Sequence, residues 1–169
     1  MKRNIHFALR FDKEWSPSSF LTVNTIKTHQ DVINKHGSTW WGKFGSGISE
    51  KKYNLIRDQV INQNTKTIAF LFENSPFDGA YFSEITDILD RYPKNEGNLI
   101  PSYYRIEAKA YNLFFKFNKF IKVQRKSLLN SLVLFNNPII GSLESGFRGA
   151  SSLFYVSMLE DFEKELFHE

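Results

Sequence analysis

The chain has no cysteine among its 169 residues. Disulfides, thiol catalysis and cysteine-ligated metals are thereby excluded, and an intracellular home fits best. Histidine is scarce. His6, His29, His36 and His168 form neither a His-x-His nor an HExxH grouping, so no metal set is expected and these four are assigned surface or capping roles. No stretch approaches 18 apolar residues, and Met1-Lys2-Arg3 leads into the mixed run Ile5 to Phe11 instead of an apolar leader. No membrane partner is expected, and the cytoplasm is the expected compartment. The glycines at 42, 45 and 47 lack the Gly-Lys-Ser/Thr ending of a phosphate-cradling loop, and Ser16, Ser18 and Ser19 have no nucleophile-elbow context. No cofactor is implied. Without repeats, low-complexity tracts or a linker, residues 1–169 are expected to form a single domain.

Aromatic residues are plentiful by contrast, at 16% of the chain with 17 Phe. Lys and Arg number 22 against 18 Asp and Glu, giving a net charge of +4 and a pI near 9.2. That bias permits a polyanionic partner without demanding one. Aromatic rings interleaved with cations are what single-strand and flipped-base binders use, although a Phe-rich β core accounts equally well for most of the rings. The most conspicuous feature is Trp40-Trp41-Gly42, placed where a polar helical segment gives way to a glycine-rich loop. Paired indoles there suggest a stacking surface for a flat ligand; the competing reading is that one or both plug the core.

Along the chain, Asn4 to Phe11 alternates as a first strand, and Ser16-Pro17-Ser18-Ser19 breaks it. Val23, Ile26, Val32 and Ile33 have helical spacing up to His36-Gly37, a plausible helix end. Ser49 is a good N-cap for a second helix, Glu50 to Gln63. Thr67 to Phe72 and Ala80 to Leu89 are expected to pair as a hairpin across Asn74 to Gly79. Arg91 to Pro101 is expected to be an exposed loop, Tyr111 to Val123 a strand pair or one long bent strand, and Leu132 to Phe135 a short apolar segment. Gly141 to Ser152 is expected as a loop holding Arg148, and Leu153 to Phe167 as a closing amphipathic helix. The sum is an α+β fold: a mixed sheet of five to six strands curled into a barrel with flanking helices.

In this order the segments resemble the YTH domains and their EVE and PUA-like relatives over nearly the whole length. The resemblance rests on Trp41-Gly42 at the end of the first helix, Ser49-Glu50-Lys51-Lys52 opening the next, the hairpin Ile68 to Leu89, Leu113 to Phe117 leading into Leu132-Val133-Leu134, and Asn136-Asn137-Pro138-Ile139 before the loop with Arg148. It implies a PUA-like fold and a nucleic-acid reader that flips a methylated base into an aromatic pocket. Trp41 would be one wall, with Trp40 the near alternative and Gly42 completing the motif. Tyr103 or Tyr104 would supply the second wall, a departure from the tryptophan usual there. Arg10 to Asp12 would lie beside the base edge, and Arg148 would contact phosphate; Lys43 and Lys51 are expected to join it from their own positions, in loops expected to flank one barrel mouth. Prokaryotic relatives serve as recognition parts of modification-dependent restriction systems, which implies modified DNA ahead of RNA and a fused or associated motor or nuclease. The acidic helix Leu159 to Glu169 is a place from which such a domain would continue.

Two other classes remain open from the residues. Glu107-Ala108-Lys109, with Asp87 or Asp90 upstream, matches the D…ExK pattern of metal-dependent nucleases, although any charged chain produces such triplets. Alternatively the tryptophans grip a peptide or methylated lysine, against which Lys43, Lys51 and Lys52 argue by repulsion.

Overall fold

The computed structural model describes residues 4–45, 47–62 and 66–167, with the side chains of Glu107 and Lys109 also outside the described set. Met1, Lys2, Arg3, Gln63, His168 and Glu169, invoked above, lie outside it too. In chain order the elements are β1 (His6–Phe11), β2 (Glu14–Ser18), β3 (Leu21–Asn24), α1 (Thr25–His36), β4 (Thr39–Phe44), α2 (Glu50–Asn62), β5 (Ile68–Glu73), β6 (Ala80–Glu84) and β7 (Asp87–Leu89). Two 3-10 segments follow, Lys94–Leu99 and Ser102–Ala110. Then come β8 (Tyr111–Phe117), β9 (Ile121–Val123), α3 (Arg125–Ser131), β10 (Leu132–Leu134), α4 (Ser142–Gly146), β11 (Leu153–Met158) and α5 (Glu160–Phe167). The chain divides into two compact units interleaved in sequence: Met1–Phe11, Ile68–Phe82 and Ile121–Glu169 form the first, Asp12–Thr67 and Ser83–Phe120 the second.

The first unit is built on a six-stranded mixed sheet in the order β10-β11-β1-β5-β6-β9. β1 runs parallel to β5, with Phe7 opposite Ala69, and antiparallel to β11, with His6 opposite Val156. Every residue of β5 is buried, which is why Ile68–Glu73 is a near-continuous apolar run and not an alternating one. Phe70, Phe72, Leu128, Leu132, Leu143 and Val156 form its core, and Phe162, Leu166 and Phe167 of α5 pack against it. His6 is buried here, its Nδ1 accepting the Ile68 N–H at 3.0 Å. Burial lowers its pKa to about 4. The expected surface or capping role for His6 is therefore wrong.

The second unit holds the three-stranded sheet β4-β8-β7, the β2–β3 hairpin, both 3-10 segments and helices α1 and α2. α1 begins at Thr25 because the Asn24 side chain accepts the Lys27 N–H; it ends where Gly37, at φ 90°, donates its N–H to the Ile33 carbonyl. α2 opens as expected, with the Ser49 hydroxyl accepting the Lys52 N–H at 3.2 Å.

The α+β class and the six-stranded mixed sheet agree with the sequence reading, but several elements differ. Leu153–Met158 is strand β11, between β10 and β1, and only Glu160–Phe167 is helical. All its residues but Ser157 are bulky and three of the six are buried, so two flanking strands outbid helical spacing. Ala80 to Leu89 is two strands, because Thr86 N–H bonds the Lys116 carbonyl and β7 pairs with β8. The Ser16–Ser19 break is itself a hairpin, Val23 belongs to β3, Arg91 to Pro101 includes a 3-10 segment with buried Leu99 and Ile100, and the Gly141–Ser152 loop contains α4.

Candidate nucleic-acid interface

Trp40 and Trp41 lie on strand β4 and not on a loop, paired to β8 with Trp40 opposite Lys116 and Trp41 opposite Phe115. They are 0% and 3% exposed. Successive strand residues face opposite ways, so the two indoles have separate surroundings. Trp40 enters a cluster of Leu99, Ile100, Tyr103, Tyr104, Tyr111 and Phe114. The Lys116 ammonium lies 5.6 Å from its ring centroid while bonded to Glu96 at 2.8 Å. Its Nε1 has no hydrogen-bond partner among the described residues.

Trp41 stacks on the imidazole of His29 at 4.4 Å between centroids, tilted by 26°. Phe117 and Phe120 meet it edge-on, each at 6.0 Å. His29 is fully buried on the α1 stripe of Thr25, His29 and Ile33. Its partners fix its tautomer. Nδ1 lies 2.7 Å from the Thr25 carbonyl, which only accepts, so Nδ1 carries the proton; Nε2 then accepts the Tyr104 hydroxyl at 2.8 Å. The same hydroxyl accepts the Gly42 N–H at 3.0 Å. Burial holds the His29 pKa down to about 4, partly opposed by the Thr25 hydrogen bond, so the ring is neutral at pH 7. Its expected surface or capping role is likewise overturned. Burial also raises the Tyr103 and Tyr104 phenols, which stack on each other at 4.3 Å.

Gly42 is required by this packing. A Cβ there would fall 2.8 to 2.9 Å from the rings of Tyr104, Phe114 and Tyr111. Among the residues singled out from sequence, Trp41 and Tyr104 thus meet through His29, Gly42 joins them through the Tyr104 hydroxyl, and Trp40, Tyr103 and Tyr104 share the adjoining cluster. Asp12 is exposed, and its carbonyl accepts the Thr25 hydroxyl at 2.6 Å. Lys43 is half-buried on β4, and Lys51 is exposed in the first turn of α2. Asp87 bonds Arg57 at 2.7 Å, and Asp90 lies 3.8 Å from Arg91. No group of three potential metal ligands occurs among the described residues.

In the first unit, Arg10 Nη1 donates to the carbonyls of Phe147, Gly149 and Ser151 at 2.9 to 3.1 Å, and Nε donates to Asn74. Those carbonyls bracket Arg148, whose side chain is exposed. Arg10 therefore fixes the backbone that presents Arg148.

A family model described as Pua-like matches residues 18–137, more than half of the chain. The chain belongs to the Pua-like family. No curated protein and no solved structure matches it. Nucleic-acid binding is the role at the family level, and Pua-like domains are typically binding modules and not enzymes. Among the described residues, no helix of the Pua-like chain is long and apolar enough to cross a membrane. Sequence reasoning missed His29, whose signal was its place four residues after Thr25 and four before Ile33. It also missed Phe20, 98% exposed at the tip of the β2–β3 hairpin, for which the only signal was an aromatic beside Ser-Pro-Ser-Ser.

Proposed function

We propose that this Pua-like chain reads a methylated base, taking it out of its strand and holding it against Trp41. The observation that supports this is the His29 imidazole, a flat neutral heteroaromatic ring stacked on Trp41 with its edge bonded to Tyr104. Stacking plus an edge hydrogen bond is the combination a base requires. Of the rings bordering Trp41, Phe120 is the one that gives way. Displacing His29 would break its bond to the Thr25 carbonyl and take the acceptor from the buried Tyr104 O–H, at about 1 to 3 kcal/mol for a buried group left unpaired. Phe120 is half-buried in the turn between β8 and β9, held by ring contacts with Trp41 and Phe117. Gly42 keeps Tyr104 in reach, Tyr103 and Trp40 back it, and Asp12 is the candidate acceptor at the base edge. Lys43 and Lys51 are the candidate phosphate contacts of the second unit, and Arg148, whose loop Arg10 holds, is the candidate phosphate contact of the first.

A buried methyl adds about 0.8 kcal/mol. Extrusion costs a few kcal/mol, offset by stacking of about 1 to 3 kcal/mol per base and by phosphate contacts. The setting we propose is the cytoplasmic recognition module of a modification-dependent restriction system, reading modified DNA ahead of RNA, with cleavage supplied by a partner or fused domain. Engagement of Asp87 by Arg57 supports binding without cutting. The test is a screen of DNA and RNA oligonucleotides that differ only in one modified base, with Mg²⁺ present. One modification is expected to bind more tightly than its unmodified control without cleavage, and Trp41→Phe to narrow that preference. Equal affinity across all modifications would sink the reading.

A further inference from the structure

The first unit contains a cleft of about 650 Å³ lined by Asp78, Gly79, the run Lys122 to Lys126, Leu129, Asn130 and Glu144. Its size is within the range of small-ligand sites. No aromatic ring lines it, so it offers no platform for a base. Three cations do line it, Lys122, Arg125 and Lys126, and none makes an ion pair within 4.0 Å among the described residues. Arg125 is held rigidly all the same. Its Nη1 donates to the Glu73 carbonyl at 3.0 Å, and its guanidinium lies 5.4 Å from the Phe72 ring centroid and 5.8 Å from that of Phe147. A guanidinium positioned by a carbonyl and two rings, with Asp78, Glu73 and Glu144 acting on its charge but none pairing with it within 4.0 Å among the described residues, is arranged for an anion.

Lys122 and Lys126 are exposed and free to follow such an anion, whereas Gln124, Asn130 and the carboxylates of Asp78 and Glu144 suit sugar hydroxyls. We propose that this cleft binds the phosphate ester of a pentose, as one sugar-phosphate unit of a nucleic-acid strand. The inference rests on the nucleic-acid reading above but uses none of the residues assigned there to base or phosphate. Phosphate is the group the three cations recognise; a free sugar phosphate and a strand carry the same one.

The experiment follows backbone amide resonances of the full chain during two titrations, one with ribose 5-phosphate and one with single-stranded DNA and RNA octamers. Both are repeated in the Lys122→Gln/Lys126→Gln variant. Amides of Asp78, Gly79 and Lys122 to Asn130 are expected to shift with both probes in the native chain and to stop shifting in the variant. For the octamers, the slope of log affinity against log salt is expected to fall by about 0.7 for each phosphate that the variant no longer neutralises. Shifts with ribose 5-phosphate alone overturn the strand as the occupant of the cleft and reduce it to a site for a free sugar phosphate. Octamer binding with unchanged slope and unshifted cleft amides overturns the cleft and leaves the reader intact. Silence of the cleft amides with both probes overturns the cleft and leaves the reader to its own screen of modified oligonucleotides. A Lys122→Arg/Lys126→Arg variant that restores the shifts separates lost charge from altered folding.

Discussion

At the scale of single residues, the second unit depends on one hydroxyl with two duties. The Tyr104 O–H donates to His29 Nε2, in the tautomer that the Thr25 carbonyl sets, and accepts the Gly42 N–H, so it satisfies a buried imidazole nitrogen and an edge amide of β4 at once. Tyr104→Phe keeps the ring packing and removes both bonds. We expect a loss of about 1 to 3 kcal/mol for each buried group left unpaired, read from a lower urea midpoint at unchanged m-value. A variant as stable as the native chain would mean that water or a shifted neighbour replaces the hydroxyl. The same residue gives the aromatic set its chemistry. Without it, His29 would keep only the Thr25 carbonyl as partner and lose the orientation that lays it on Trp41.

Among the elements, the β2–β3 hairpin stands apart from the buried strands. Its register pairs Ser18 with Leu21 and leaves Phe20 in solvent, although Trp15 and Val23 lower down pack against the aromatic cluster. An exposed phenyl on a short hairpin is available for stacking on a base or wedging between two, with no rearrangement of the core. Phe20→Ala is expected to change stability by no more than about 0.5 kcal/mol, as for exposed positions generally. Affinity for an oligonucleotide should weaken by about 1 to 3 kcal/mol. Unaltered affinity in a direct titration would remove the hairpin from the interface. The contrast with β4 is one of burial: Trp41 carries a wider ring, but it is reached only by moving a neighbour.

On the scale of the whole molecule, two buried imidazoles, one in each unit, contribute to the response to acid. His6 and His29 each have a folded pKa near 4 against an ordinary 6.5. Between those values the unfolded chain binds protons that the folded chain refuses, so stability is complete above about pH 6.5 and declines as pH falls towards 4. Each site is worth on the order of 3 kcal/mol once fully titrated, a large part of a typical domain's stability. Thermal midpoints should therefore drop steadily from pH 7 to pH 4, and His6→Gln or His29→Gln should flatten the fall while lowering the midpoint at pH 7. A profile that is level across this window would show that neither ring is neutral in the folded chain.

The sequence by itself determined what depends on near neighbours and on composition. Absence of cysteine excluded disulfides, the apolar run at Ile68–Glu73 made a buried strand, and Ser49 and Gly37 marked a helix start and a helix end because caps act within four residues. The ordered succession of these pieces was enough to suggest the PUA-like class. Tertiary structure decided everything that depends on distant partners. Leu153–Met158 became a strand because β1 and β10 flank it, and the tryptophan pair was buried because β8, α1 and the Tyr103-Tyr104 segment close over β4. His29 finds its hydroxyl 75 residues away, Gly42 finds the same one 62 residues away, and Arg10 reaches a carbonyl across 137. Periodicity records which side of an element is apolar, but it does not record which remote group completes a buried hydrogen bond, and the candidate site is made of such bonds.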